Sequence, residues 1–158
     1  MKNTCDIEHL NEKNAVELAR FARLASEVQP SASQPIVHYV AQGELRPRLG
    51  GEPQLWLHLT AQVVLPLLCQ RCLDVVETEI SVEREFRFVA TEAEAEQEDE
   101  ESEEDILVND ADFNLHNLIE DELLMALPMV PMHDECEPPV ALKEEKVSPF
   151  AILGQLKK

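Results

Sequence analysis

The fold can be predicted mainly from residues 55–88, LWLHLTAQVVLPLLCQRCLDVVETEISVEREFRF. Apolar and polar residues alternate in the first half, and the alternation resumes after a short link, as in two strands that each bury one face. The apolar faces are Leu55, Leu57, Leu59, Ala61, Val63 and Leu65, then Val76, Thr78, Ile80, Val82, Phe86 and Phe88. This pattern predicts an antiparallel hairpin with Cys69 and Cys72 at its tip. Pro66 marks a strand end, an edge or a bulge.

Further elements are predicted on both sides of this hairpin. They are a helix over 14–28 with Asn14 as its N-cap, a strand over 36–49 interrupted near Gly43, a helix from 114 to about 127 with Asn114 as its N-cap, and a short terminal helix over 148–153. The helices are predicted from apolar residues spaced three and four positions apart. Pro128 ends the helix that begins at Asn114. Strands and helices in one chain of this kind predict the α+β class.

The charge balance restricts the function. The chain has 158 residues, enough for one ordinary domain, and its 13 Lys and Arg against 32 Asp and Glu give a net charge of -19. Phosphate binding needs clustered cations, so this charge balance argues against unassisted binding to nucleic acid and favours a basic protein partner. The N-terminus lacks an apolar signal-peptide core and no apolar stretch reaches membrane-spanning length, so we expect a cytoplasmic protein without membrane association.

About half of the net charge lies in one short segment. Residues 91–105, TEAEAEQEDEESEED, hold ten acidic and no basic side chains. Like charges repel one another and such a segment buries no apolar area, so we predict an acidic disordered loop. The loop is either a solvated linker between two packed halves or an acidic segment that binds a basic protein by mimicking phosphate.

The cysteines supply the main candidate site. Cys69 and Cys72 are separated by two residues, and His133 and Cys136 repeat that spacing. Together they form a suitable donor set for tetrahedral zinc. Three interpretations stay open: a structural zinc site, reduced thiols that serve packing, and a redox pair. Neither half has the nearby glycine that zinc knuckles usually carry, and Cys5 is most simply a free thiol.

Other chemistry is sparse in the sequence. The chain has four glycines, no glycine-rich phosphate loop and no evident nucleophile–base pair, so we expect no enzymatic activity. The adjacent carboxylates Glu120, Asp121 and Glu122 point in different directions on a helix, which disfavours a magnesium site. We take these three residues and Arg71 as candidate partner-binding residues. The candidate RNA-binding residues are arginines of the predicted sheet, which have glutamates nearby. These arginines are Arg46, Arg48, Arg71, Arg84 and Arg87.

Four sequence blocks resemble the bacterial YceD family, the large ribosomal RNA subunit accumulation proteins. They are LCQRCL at 68–73, IEDELLMALP at 119–128, PMHD at 131–134 and SPFAIL at 148–153. Their order and spacing match, and the resemblance covers most of the chain. It implies a cytoplasmic factor needed for normal levels of 23S ribosomal RNA, with no known catalytic activity. Many relatives carry a richer cysteine cluster after the ALP block, which looks like a zinc site, whereas this chain has His133 and Cys136 there.

These observations predict a single α+β domain over residues 1–158. A meandering antiparallel sheet, curled towards a barrel, is flanked by helices and bears the acidic loop. We expect a non-enzymatic ribosome-biogenesis factor that acts through a basic large-subunit ribosomal protein or a ribosome precursor, with indirect contact to ribosomal RNA. The alternatives are a direct RNA-binding module that uses the sheet arginines, and a thiol oxidoreductase that uses the Cys69–Cys72 pair. A structural zinc ion is the cofactor that the sequence suggests.

Overall fold

A computed structural model of the chain describes residues 4–31, 33–99, 104–109 and 112–139. The strands in this part of the chain are β1 (Asn11–Glu17), β2 (Ile36–Arg46), β3 (Gln54–Leu68), β4 (Val75–Val89) and β5 (Asp105–Val108). The helices are α1 (Ala22–Ser26), α2 (Glu92–Asp99) and α3 (Leu115–Met125), and Thr4–His9 and Leu18–Arg20 are 3₁₀ helices. None of the described helices has the length and apolar character needed to cross a bilayer.

The five strands form one open sheet in the order β1-β2-β3-β4-β5. The first four are antiparallel to their neighbours, whereas β5 runs parallel to β4. The α+β class is therefore confirmed, but the prediction of a purely antiparallel, barrel-like sheet is wrong. A parallel neighbour needs a crossover connection, which the chain makes here through α2, and the sequence pattern of β5 is too short to reveal its direction.

The predicted β3–β4 hairpin is confirmed. Its register runs from Leu55↔Phe88 to Leu68↔Val75, so the turn contains both cysteines of the CxxC pair. Alternate residues of both strands face the core, because successive side chains of a strand point to opposite faces. The buried members are Leu57, Leu59, Ala61, Val63 and Leu65 of β3, and Val76, Ile80, Phe86 and Phe88 of β4.

Pro66 lies inside β3 at a locally unpaired edge. The ladder between β2 and β3 ends at His38↔Gln62, so the N–H that Pro66 lacks breaks no bond to β2. On that side, the carbonyl of Pro66 accepts a hydrogen bond from the N–H of Gln29 at 2.8 Å. The segment after α1 therefore takes over where β2 stops.

Helices α1 and α3 pack on the apolar face of the sheet. Phe21 and Leu24 at α1, and Ile119 and Leu123 of α3, are fully buried. The predicted helix from 114 is confirmed, and the side chain of Asn114 accepts hydrogen bonds from two first-turn N–H groups as an N-cap. The terminal helix predicted over 148–153 lies outside the described residues.

The helix predicted over 14–28 is wrong in its first half. Asn11–Glu17 forms β1, which pairs antiparallel with β2, and helical structure starts only at Leu18. The spacing of Leu18, Phe21 and Leu24, which are all buried, belongs to the 3₁₀ helix and α1. The exposed edge of β2 offers backbone partners to the preceding segment, and this tertiary pairing overrides a weak local helix preference.

The acidic segment is also more ordered than predicted. Residues 92–99 form α2 instead of a disordered loop, whereas residues 100–103 lie outside the described part of the chain. The hydroxyl of Thr91 accepts from the N–H of Glu94 at 3.3 Å, and the Glu94 carboxylate accepts from the N–H of Ala90 at 3.1 Å. These two hydrogen bonds cap the start of the helix in a manner close to a capping box, and their sequence signal was the threonine followed three residues later by glutamate.

A buried arginine fixes the acidic segment to the sheet. The side chain of Arg87 in β4 is 5% exposed and forms ion pairs with Glu98 of α2 and, at 2.8 Å, with Glu104. A buried guanidinium requires such partners. Two carboxylates of the acidic segment are thus neutralised by ion pairs within the fold.

Gly43 should be essential for the packing of the N-terminal segment. A Cβ atom at Gly43 of β2 would overlap the carbonyl oxygen of Ile7, where the first 3₁₀ helix crosses the strand. We expect Gly43→Ala to lower the free energy of unfolding by about 2 kcal/mol, measured by urea denaturation. The control is Gly51→Ala, whose Cβ would lie 3.4 Å from the Arg48 side chain and should change stability by less than about 0.5 kcal/mol. Equal effects of the two substitutions would contradict this assignment.

Candidate metal centre

The turn between β3 and β4 presents two of the candidate ligands. The N–H of Leu73 donates to the carbonyl of Cys69 at 2.9 Å, and the N–H of Cys69 donates to the carbonyl of Asp74 at 2.9 Å. These bonds fold residues 69–74 into a tight turn in which Leu73 has a φ of 65°. Leu73 thus occupies the left-handed position that a glycine commonly fills, which explains how the turn forms without the glycine that the sequence lacks.

The other two candidate ligands follow α3. Pro128 lies just beyond the helix, and the chain then crosses the hairpin tip. The N–H of Gln70 donates to the carbonyl of Pro131 at 2.9 Å, and Arg71 Nη1 donates to the carbonyl of Cys136 at 3.5 Å. Backbone contacts therefore hold the two distant halves of the motif side by side.

The four predicted metal ligands come together. The ligand atoms of Cys69, Cys72, His133 and Cys136, called the Cys/His cluster below, all lie within 4.8 Å of one another. Sγ of Cys69 lies 3.7 Å from Sγ of Cys136, and Sγ of Cys72 lies 3.3 Å from Nδ1 of His133. Atoms bound tetrahedrally at 2.3 Å from one ion would be about 3.8 Å apart. The donor set and its spacing therefore fit one zinc ion.

A further contact orients the imidazole. Nε2 of His133 lies 3.2 Å from the carbonyl oxygen of Val75. A carbonyl can only accept, so Nε2 carries the proton and the lone pair of Nδ1 faces Cys72. Metal-binding histidines are commonly held in this way by a backbone carbonyl on the ring nitrogen that does not bind the metal.

The surroundings shift the pKa values of Cys69 and Cys72 in opposite directions. Burial raises the pKa of Cys69, but the backbone N–H groups of Cys72, His133 and Arg71 outweigh it and lower this pKa to about 5. The backbone N–H of Asp74 lowers the pKa of Cys72, but burial and the neighbouring cysteine sulfurs raise it to about 11. Cys69 is thus the stronger acid of the two thiols and Cys72 the weaker one.

The carboxylates predicted to bind a partner have internal contacts. Glu120 is buried, and its carboxylate accepts from the backbone N–H groups of Arg23 at 2.7 Å and Leu24 at 3.1 Å. These are first-turn donors of α1, whose N-cap position offers no side-chain cap, so α3 caps α1. The Arg23 side chain also pairs with Glu120 and Asp121. Sequence reasoning missed Arg23, because no local signal links residues about a hundred positions apart.

The sheet arginines are largely paired within the fold. Arg46 lies 2.7 Å from Glu85 and stacks over the ring of Trp56 at 4.5 Å. Arg84 pairs with Asp105 at 2.7 Å and with the buried Glu122 at 3.3 Å. Arg87 is buried against acidic partners, as described above. The basic patch that the RNA-binding alternative needs is therefore neutralised at three of its five positions.

Comparison with known proteins identifies related sequences. A protein-family model described as "Large ribosomal RNA subunit accumulation protein YceD" matches residues 57–157. The Large ribosomal RNA subunit accumulation protein YceD of Haemophilus influenzae is 32% identical to this chain in an alignment 107 residues long, which covers 61% of this chain. The chain spans 62% of the length of that relative. No solved structure matches the chain.

Two neighbouring glutamates of α3 should respond oppositely to neutralisation. Burial raises the pKa of Glu120, but the N–H groups of Leu24 and Arg23 and the Arg23 side chain hold it below its usual value. Burial holds the pKa of Glu122 above its usual value. We expect Glu120→Gln to lower the free energy of unfolding at pH 7 by about 2 kcal/mol and Glu122→Gln to leave it unchanged or raise it.

The pH dependence gives the sign of each contribution. A lowered pKa in the folded state means that Glu120 stabilises the fold above its unfolded pKa, and that this contribution is lost as pH falls through the folded value. Protonation of Glu122 on acidification instead favours the fold. Urea denaturation from pH 7 to pH 3 should show a flatter profile for Glu120→Gln and a steeper acid loss for Glu122→Gln. The reverse order would contradict the proposed capping of α1.

Proposed function

Because this chain belongs to the YceD family, we propose that it is a non-enzymatic cytoplasmic factor that promotes accumulation of the large ribosomal RNA subunit. The observation that carries this proposal is the family match over residues 57–157, which include the hairpin, α3 and the Cys/His cluster. The role is printed in the name of the relative from Haemophilus influenzae, and we transfer it to this chain as a proposal.

The factor acts through a basic large-subunit ribosomal protein. A net charge of -19 attracts a cationic polypeptide and repels the phosphates of RNA. The ion pairs of Arg46, Arg84 and Arg87 support this choice, because paired guanidinium groups are less available to phosphate. Direct RNA binding through the sheet would first have to break these pairs.

The Cys/His cluster binds one structural zinc ion. Two arguments support zinc over a redox role for the thiols. The donor set and spacing suit a tetrahedral ion, and the Val75 carbonyl orients His133 as a ligand. An attacking thiolate must also be accessible, whereas the low-pKa Cys69 is fully buried and the more accessible Cys72 has a raised pKa. Zinc would join the hairpin tip to the segment after α3.

Elemental analysis tests the metal. We expect the protein purified without added metal to contain about one zinc ion per chain, and Cys136→Ala to lose it. Cys5→Ala is the matched control, because Cys5 lies outside both spaced ligand pairs of the sequence, and this variant should keep its zinc. A strong chelator should lower the Tm of the wild type and leave that of Cys136→Ala unchanged. Far less than one zinc per chain in the wild type would overturn the proposal.

Zinc affinity should also fall in acid. The raised pKa of Cys72 means that its thiol is protonated at neutral pH before metal binds, so binding must release this proton. Calorimetry in buffers of different ionisation enthalpy should detect proton release at pH 7, and the apparent affinity should decrease as pH is lowered. Affinity independent of pH between 6 and 8 would contradict thiolate ligation by Cys72.

Complementation tests the cellular role. In a Haemophilus influenzae strain lacking its YceD relative, we expect this chain to restore the ratio of 23S to 16S ribosomal RNA. A pull-down of the chain at low and at moderate salt should recover a basic ribosomal protein. Unchanged 23S levels despite normal expression would overturn the role, and recovery of bare RNA without ribosomal protein would overturn the indirect mechanism. Arg87→Glu is unsuitable as a probe of RNA binding, because Arg87 is buried and its loss would disturb folding.

A further inference from the structure

One end of the sheet exposes several large apolar side chains. Leu73 and Val75 of the hairpin tip are 57% and 43% exposed, and Met129, Val130 and Met132 after α3 are 95%, 55% and 47% exposed. We call these five residues the tip patch. They belong to two segments that lie side by side, because the Gln70 N–H donates to the Pro131 carbonyl and His133 donates to the Val75 carbonyl.

Leu73 is the most informative member of the patch. Its φ of 65° is unfavourable for a side chain with a Cβ atom, and glycine would adopt it without strain. The side chain is more than half exposed, so its burial within the described fold gives little compensation. A strained residue with an exposed apolar side chain points to a contact beyond the described residues.

Acidic side chains surround the tip patch in sequence. Residues 69–77 and 129–139 include five exposed carboxylates, namely Asp74, Glu77, Asp134, Glu135 and Glu137. The same two stretches contain one Lys or Arg, which is Arg71, and its guanidinium lies against the Cys136 carbonyl and Sδ of Met132. The two stretches that carry the tip patch therefore also carry an excess of exposed carboxylates, which we call the carboxylate rim.

We propose that the tip patch binds a basic amphipathic helix of a protein partner. This inference rests on the proposed function and specifies the segment of the partner that is recognised. Apolar residues on one face of such a helix would cover Leu73, Val75 and the methionines, whose flexible side chains adapt to the helix surface. Lys and Arg beside that face would meet the carboxylate rim. RNA would need cations that this surface lacks, and a second copy of the chain would bring its own negative rim.

The test uses a fluorescent lysine–leucine peptide of about 18 residues with leucines at helical spacing, long enough to form a helix on binding. Its affinity for the full chain is measured by fluorescence anisotropy at physiological salt. A peptide of the same composition with a scrambled order is the first control. We expect the amphipathic peptide to bind at least about tenfold more tightly than the scrambled one, because only its leucines can cover the patch together.

Substitutions locate the binding surface. Leu73→Asn should weaken the amphipathic peptide about tenfold while keeping the Tm, because asparagine tolerates the left-handed conformation. Met132→Gln provides a second variant that does not depend on the turn. The matched control is Leu49→Asn, since Leu49 is fully exposed in the β2–β3 turn at the opposite end of β3, and it should leave the affinity unchanged.

Three outcomes would overturn the inference. Equal affinity for the scrambled peptide would mean that charge alone is recognised, and equal losses in Leu49→Asn and Leu73→Asn would remove the patch from the interaction. Patch-dependent binding of a single-stranded RNA probe in place of the peptide would identify a different partner class. Failure of the wild-type chain to restore 23S ribosomal RNA in the complementation test would overturn the proposed function, while patch-dependent peptide binding would still support this inference.

Discussion

The rest of the fold is organised around the long antiparallel ladder between β3 and β4. Its register, Leu55↔Phe88 to Leu68↔Val75, determines which side chains of the two strands face the core and which face the opposite side of the sheet. A slip by one residue would move the whole apolar set to solvent, so burial of that set stabilises this register strongly. The same register places the CxxC pair in the connecting turn. Because the ladder between β2 and β3 stops at Gln62, the other edge of the end of β3 is free to receive the segment after α1.

On the buried face, the contact between α1 and α3 joins the N-terminal and C-terminal halves of the chain. Apolar packing of Phe21, Leu24, Ile119 and Leu123 supplies most of it, since these side chains are fully excluded from water. Glu120 adds a specific charge-assisted contact by capping the short helix α1. A five-residue helix is not stable alone, so this cap comes from the tertiary fold.

At the hairpin tip, the same two halves meet again in the Cys/His cluster. A backbone hydrogen bond from Gln70 to Pro131, and a hydrogen bond from the His133 side chain to the Val75 carbonyl, help to set the separation of the ligand atoms. A metal ion would therefore find its donors arranged in advance. The same contacts bring both segments with exposed apolar side chains to the hairpin tip, so binding of a partner there would depend on the geometry of the cluster.

Local patterns in the sequence predict the hairpin, its buried face, α3 with its Asn114 cap, and the spacing of the four candidate ligands. These are features of local periodicity and short motifs, and neighbouring residues suffice to specify them. Long-range contacts instead determine that residues 11–17 form an edge strand, that β5 is parallel, and that Arg87 anchors α2. In each case a distant backbone edge or a buried charge outweighed a weak local preference, and the convergence of Cys69 with Cys136 likewise depends on contacts between segments more than sixty residues apart.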